Sequence, residues 1–459
     1  MNLKRLFIGI VLLFTLACNF TSQIPVITPT SMPSTLTPTA ALPTTVPVYV
    51  PPACVGQPVA TLPAATTVAE PTLGLGTNPP LSQSEQLKIF EELTGPIPSL
   101  YVYPDFNGVD WPATVAKYRA KVEGGLDTET FYTEMQNLIN ELGDNHSQYL
   151  SPVEVADSTA QLAGRNDYVG IGVLIMPMLD KNRLSILLVF PGSSAEHAGL
   201  KPHDSLLAVD GIPLVENGVS FPQRVRGPAC SAAVVTVQSP GGAPRNITVI
   251  RSAINSSLPI IARMVTTQDG SRIGYIYLPS FFDETIPGQV KQALQQFGQL
   301  DGLILDNRMN SGGSSDVVEP ILSYFTDGVV GHFASRTATR PLQASADPIN
   351  NSQTVPVVVL VGTDTVSFGE IFSGVLQDIG RAKIVGQTTL GNVEILHGHN
   401  LSDGSLLWLA EERFIPLHSQ ANWEKTGIVP EVQAYADWDT FTFETDPSVA
   451  AAVTLLGHK

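Results

Sequence analysis

The stretch from Asn19 to about Pro80, which includes PVITPTSMPSTLTPTAALPTTVPVYVPP, most constrains what this chain can fold into. Pro, Thr, Ala and Val dominate it. Proline fixes φ and removes a backbone donor, and the stretch has too little apolar surface to offset the entropy of becoming ordered. A disordered Pro/Thr-rich tether is therefore expected over residues 19–80. In polyproline II form, about 60 residues reach roughly 190 Å at ~3.1 Å per residue. Folding is confined to the chain beyond Pro80, and 43% hydrophobic residues in a chain of 459 supply enough material for two or three packed units.

Ahead of the tether stands MNLKRLFIGIVLLFTLAC, with Lys4 and Arg5 before a short apolar run that ends in small residues. That is the layout of a secretion signal rather than a spanning helix. The ending Thr15-Leu16-Ala17-Cys18 resembles a bacterial lipoprotein signal. Residues 1–18 are then the signal and Cys18 the lipidated residue of an exported protein, anchored at the outer face of the cytoplasmic membrane or in the cell envelope. The alternative is an ordinary signal peptide with an incidental cysteine. No other segment approaches the ~20 apolar residues of a membrane span. Cys54 and Cys230 are able to pair in an oxidising compartment, but their spacing leaves the pairing open and does not support a metal site. With 25 basic against 42 acidic residues, a net charge of −17, nucleic acid is not an expected partner.

After the tether, SQSEQLKIFEELTGPI and TETFYTEMQNLINELG carry apolar residues at helical spacing, the second ending at Gly143, so residues 81–160 are expected to be helical. DNHSQYLSP then places His146 just past a helix end, where an imidazole has an ordinary role against the last carbonyls. Residues 161–255 change to short β-type runs. Residues 256–440 alternate strand and helix patterns, which predicts an α/β core, and residues 441–459 are a C-terminal tail. In α/β sheets, sites form where loops leave the strand ends, and two loops stand out: DNRMNSGGSSD at 306–316 and GTDTVS at 362–367. In TDTVSFGEI, Ser367 sits at a helix start, where free N–H groups and the dipole stabilise a developing oxyanion. The same residues also fit a Ser-x-x-Glu capping box, which needs no catalysis.

Several motifs in order carry a resemblance. VFPGSSAEHAGLKPHDSLLAVDGIPL resembles a PDZ domain, in which Gly170, Ile171, Gly172 and Val173 of YVGIGV would receive a peptide's C-terminal carboxylate; a tight strand entry is the alternative use of these glycines. Together with IGYIYLPSF, GLILDNRMNSGG, the PVVVLVG to AKIVG run, SDGSLLWLAEERF and GIVPEV, it makes residues 85–435 similar to the C-terminal processing, tail-specific serine peptidases. The resemblance implies a multi-domain α/β protein with an N-terminal helical segment, a PDZ-like β domain and an α/β peptidase core. It implies Ser367 as nucleophile, with the N–H of Phe368 and one from Gly312 or Gly313 around the oxyanion. No cofactor or metal is implied.

Family members with a Ser/Lys pair carry a lysine in G-x-x-T-x-G-K. Here GQTTLGNVEIL puts Asn392 at the lysine position and Leu396 at a following glutamine position, and an amide cannot accept the serine proton. The tricorn-core branch of the superfamily instead uses a histidine ahead of its PDZ domain. His146 in ELGDNH matches it, with Asn145 beside it, and Glu424 in NWEKTGIVPE matches that branch's assisting glutamate. His397 and His399 are the alternative bases, and a surface carboxylate beside Lys425 is the alternative reading of Glu424. Asp306, Arg308 and Asn310 are expected to brace the loop. The expected activity is cleavage of polypeptides with free C-terminal tails. A tail-binding lipoprotein without activity and an esterase are the competing readings.

Overall fold

The structure is a computed structural model that describes residues 48–57, 78–144, 146–156, 168–254, 258–265 and 267–457. The signal with Cys18, and residues 19–47 and 58–77 of the expected tether, lie outside the described residues.

Three long helices open the folded part: α1 (Gln83–Thr94), α2 (Trp111–Glu123) and α3 (Thr128–Asn140). Ser82 starts α1 as a capping box with Glu85, while Asp110 and Asp127 cap α2 and α3 through side-chain oxygens. Phe90, Leu93, Phe131, Met135 and Leu138 point into one core, which also takes in Leu407 and Leu409 from far along the chain. The chain turns out of α3 at Gly143, whose φ of 69° favours glycine, and enters β1 (Gln148–Leu150).

Next come β2 (Val173–Met178), β3 (Arg183–Val189), β4 (Ser205–Val209), β5 (Ala232–Gln238) and β6 (Arg245–Ile250). They form an antiparallel sheet in the order β6-β5-β4-β3-β2, which leaves β2 at an edge. This sheet is fastened to the later chain at Trp438, whose indole N–H donates to the Ile186 carbonyl at 3.0 Å, and by ion pairs from Lys181 and Arg183 to Asp439.

The α/β core runs β7 (Ile261–Val265), β8 (Ile273–Tyr277), α4 (Ile286–Phe297), β9 (Gly302–Asp306), α5 (Ser315–Phe325), β10 (Gly328–Ala334), β11 (Thr339–Ala344), β12 (Val357–Val361), α6 (Phe368–Asp378) and β13 (Ala382–Gly386). There follow β14 (Glu394–Asn400), β15 (Leu406–Pro416), α7 (Trp423–Thr426), β16 (Val432–Gln433) and α8 (Pro447–Leu455). The central sheet has the order β7-β8-β9-β12-β13-β16, parallel apart from β7. Every residue of GLILD in β9 and VVVLV in β12 is buried, as parallel strands covered on both faces require.

A further antiparallel sheet, β1-β15-β10-β11 with β14 paired to β15, has no counterpart among the elements expected from the sequence. Its first strand comes from the helical range and its others from the peptidase range, so no clean boundary falls at residue 160. Two more expectations differ. Within the expected tether, residues 48–57 are held against the sheet of β2–β6 by a Cys54–Cys230 disulfide with Cα atoms 5.3 Å apart, and Tyr49 stacks on His197 with ring centroids 3.6 Å apart. A covalent link orders a segment that has no apolar periodicity to do so. The C-terminal segment expected as a tail carries α8, capped by Asp446, with Pro447 in the first turn where its missing N–H costs nothing, and Val449, Ala452 and Val453 buried beside Trp438. Among the described residues no helix is long and apolar enough to cross a membrane.

Replacing both Cys54 and Cys230 by Ala is expected to lower Tm by several degrees, a loss of about 2–4 kcal/mol for a cross-link of this kind. It is also expected to make residues 48–57 susceptible to limited proteolysis. Thermal melts and digestion with and without reductant check this.

Candidate active site

Because β9 and β12 are parallel neighbours, the loops that extend from them leave the same edge of the sheet and interlock. The Val366 N–H donates to the Asn310 carbonyl at 2.9 Å, Thr365 Oγ1 donates to the Asn307 carbonyl at 2.8 Å, and Asn307 Nδ2 donates to the Gly369 carbonyl at 2.7 Å. Arg308 is bound on both sides, to Asp306 and to Asp446 at the head of α8. Burial works against ionising Asp306, yet the Arg308 guanidinium and the Tyr275 hydroxyl bring its carboxyl below the ordinary value.

Ser367 occupies the turn from β12 into α6 with φ 55° and ψ −124°, a conformation costly for a residue with a Cβ. A strained strand-to-helix turn of this kind presents its hydroxyl outward. Ser367 and Glu370 sit as a capping box, but the bond formed at 3.3 Å runs from the Ser367 N–H to Glu370 Oε2, and the Ser367 hydroxyl makes no cap hydrogen bond. Gly312 lies directly against the serine: a Cβ on it would stand 2.7 Å from Ser367 Cβ and 3.2 Å from the Phe368 nitrogen. The Gly312 N–H donates to Asn310 Oδ1 at 2.9 Å, whereas the N–H groups of Phe368 and Gly313 have no acceptor among the described residues.

Glu370 also ties the serine to the segment that carries Asn392, since the Gly391 N–H donates to Glu370 Oε1 at 2.8 Å. Burial pushes the Glu370 carboxyl up, despite the donors around it. Two residues further along, the Val393 N–H donates to Glu424 Oε2 at 2.7 Å, and β14 begins with Glu394. The carboxyls of Glu394 and Glu424 meet. Burial first, and then the neighbouring Glu394, push Glu424 up to about 11, while His146, Glu424 and the Tyr103 hydroxyl hold Glu394 below the ordinary value against the effect of burial. The Glu394 carboxyl opposes ionisation of Glu424, and burial favours the protonated form at Glu424.

His146 reaches the same cluster from the loop before β1. Asp144 Oδ1 accepts the N–H groups of His146 and Ser147 at 2.9 and 2.8 Å, a turn that fixes the backbone at the histidine. His146 Nδ1 stands 3.6 Å from Glu394 Oε2. No hydrogen bond joins the ring to Ser367. Asn145 lies outside the described residues. Glu394 and Tyr103, whose hydroxyl donates to Glu394 Oε1 at 2.7 Å, were not singled out from the sequence. Neither carries a local signal, because their role exists only where segments almost 300 residues apart meet.

The remaining candidates fall elsewhere. His397 pairs with Glu412 at 3.2 Å, Arg340 joins the same carboxylate, and His399 pairs with Glu411. Gly170 lies in a two-stranded pairing with residues 252–254; Gly172, with φ 88°, packs so tightly that a Cβ would lie 2.2 Å from Ser193 Cβ. The Ile171 carbonyl accepts the Ala195 N–H at 2.9 Å, and Val173 opens β2. A cavity of about 120 Å³ separates Met176 and Met178 of β2 from Arg308, Thr363 and Asp364. Among the described residues no group of three or more His, Cys, Asp or Glu could hold a metal ion.

Residues 272–434 match peptidase family S41. A carboxyl-terminal-processing protease of Synechocystis is 29% identical over 394 residues, 83% of this chain and 90% of that protein. The chloroplastic carboxyl-terminal-processing peptidase 3 of Arabidopsis thaliana is 26% identical over 385 residues, 80% of this chain and 72% of that protein. Among solved structures, a photosystem II D1 C-terminal processing protease matches with a TM-score of 0.54 at 25% identity, covering 81% of this chain and 98% of that one. Fold and relatives together define a serine peptidase. More narrowly, the chain is similar to the C-terminal processing peptidases.

The buried charges lead to two expected outcomes. Arg308→Met leaves two buried carboxylates without their cation and is expected to cost about 3–5 kcal/mol in denaturant unfolding. Glu424 has a folded pKa raised from 4.5 to about 11, so its stabilising contribution is full below about pH 4.5 and is lost as pH rises toward 11. In Glu424→Gln that slope disappears, and the Tm of the variant relative to the parent is expected to rise between pH 5 and pH 9.

Proposed function

We propose that this chain is an exported serine endopeptidase that acts on polypeptides with free C-terminal tails, using Ser367 as nucleophile and His146 as general base. The observation that carries the reading is the Ser367 turn: a strained conformation, a hydroxyl without a cap bond and the N–H groups of Phe368 and Gly313 without acceptors. A helix cap alone gives no reason for that combination. With Asn392 at the lysine position, His146 is the base that connects to the serine through the 391–394 segment.

In the reaction, Ser367 Oγ attacks the scissile carbonyl carbon while His146 takes its proton. The oxyanion is received by the Phe368 N–H and an N–H of the Gly312-Gly313 pair; Gly313 is the better donor because the Gly312 N–H already serves Asn310. His146 passes the proton to the leaving amine, and water then cleaves the acyl-enzyme with the same base. Glu424, protonated, supports the carboxyl cluster behind the imidazole. The distance between nucleophile and base closes on substrate binding, as catalytic hydrogen bonds are often loose in free enzymes.

The sheet of β2–β6 acts as the PDZ-like unit that docks the tail along the free edge of β2, with the Gly170–Val173 turn receiving the carboxylate. Two features support this: β2 has no further strand beside it, and the Ile171 and Gly172 N–H groups have no acceptor among the described residues. Lipidation at Cys18 after export anchors the enzyme to the membrane.

The test is cleavage of an unfolded protein by the full chain. Ser367→Ala and His146→Ala are each expected to lower kcat at least ~10³-fold, as single losses from a coupled nucleophile and base do. His397→Ala is expected to stay within a factor of about two, because it leaves the serine environment intact. Unchanged cleavage without His146 rejects it as the base. Gly172→Ala, which sets a Cβ against Ser193, is expected to raise KM for substrates with a free tail and to spare those whose tail is amidated.

A further inference from the structure

His146 Nδ1 and Glu394 Oε2 are both buried, face each other at 3.6 Å and have no hydrogen-bond partner of their own in the structure. Two such atoms are costly apart and need only a small movement to bond. We propose that Glu394 is the positioning residue that holds His146 as the Nδ1–H tautomer, leaving Nε2 to accept the Ser367 proton. This deepens the Ser/His reading above and rests on it.

The groups around Glu394 favour this arrangement. From the segment before α2, the Tyr103 hydroxyl donates to Oε1 at 2.7 Å, which fixes the carboxylate plane and turns Oε2 toward the ring. From α7, Glu424 presents its carboxyl, and because that group stays protonated it adds a donor and no second charge. From β15, Arg413 lies opposite Glu394 in register but is exposed. Of the Glu394 and Glu424 carboxyls, the one that keeps its negative charge is therefore set beside the ring that becomes positive when it takes the serine proton. Such a carboxylate fixes the tautomer and stabilises the imidazolium without being protonated itself. His397, the competing base, has its own carboxylate in Glu412, but Arg340 shares that carboxylate.

The experiment uses the full chain with 15N-labelled histidine, the His146 signals being assigned by their loss in His146→Gln. Above the titration of the ring, nitrogen shifts are expected to report the Nδ1–H form in the parent. In Glu394→Gln the amide oxygen stays on the Tyr103 hydroxyl and the NH2 faces Nδ1, so the ring is expected to change to Nε2–H. Cleavage by that variant is expected to fall at least ~100-fold in kcat, with KM within about threefold, as loss of the orienting carboxylate does in related constellations. Glu394→Asp is expected to recover at least a tenth of the parent rate. An Nε2–H ring in the parent overturns the proposal without any variant, as does a Glu394→Gln protein with parental tautomer and parental kcat. If the parent cleaves nothing, the peptidase reading fails while the nitrogen shifts still decide the role of Glu394.

Discussion

Everything at the site depends on the clamp around Arg308. Its guanidinium bonds Asp306 at the end of β9 and Asp446 at the head of α8, and all three side chains are at least nine-tenths buried. Breaking such a triad strands charge in the interior, so the loop that starts at residue 307 has one available course. That course brings the Asn310 carbonyl to the Val366 N–H and Gly312 under the Ser367 side chain. The strained dihedral angles of the serine are sustained because the surrounding bonds leave no relaxed alternative.

The second organising element is the short run 391–394. Its N–H groups bond two different glutamates, Glu370 behind the serine and Glu424 in α7, and it ends in a third, Glu394. Three carboxyls gathered in a buried place would repel one another if all were ionised, and protonating Glu424 resolves the conflict. A lysine at position 392 would bring a positive charge close to this group. Asn392 brings no charge, and the ring of His146 stands 3.6 Å from Glu394 Oε2.

How much the sequence disclosed depends on the range of the interactions involved. The helices over 83–94 and 128–140 were legible because caps and apolar spacing are local, and the buried strands GLILD and VVVLV because their composition is. Ser367 and His146 were legible as motif positions. The sheet joining β1 to β15 was hidden, because its strands are separated by more than 250 residues and each is only 3 to 11 residues long. Glu394 was hidden for the same reason: as the first residue of β14 it looks like any charge at a strand start, and only the arrival of Tyr103 and His146 gives it a partner. The pairing of Cys54 with Cys230, across 176 residues, depended on the fold in the same way.

That cross-link changes how the chain is mechanically connected. Without it, whatever precedes Val48 would be joined to the folded body only along the backbone through residues 58–77. With it, any pull from the N-terminal side enters at Cys230, in the turn just ahead of β5 of the sheet whose edge strand is β2, and the intervening backbone is bypassed. A protease nick between residues 58 and 77 would therefore leave the two pieces in one covalent molecule. Their separation would then answer to a reductant and not to the cut.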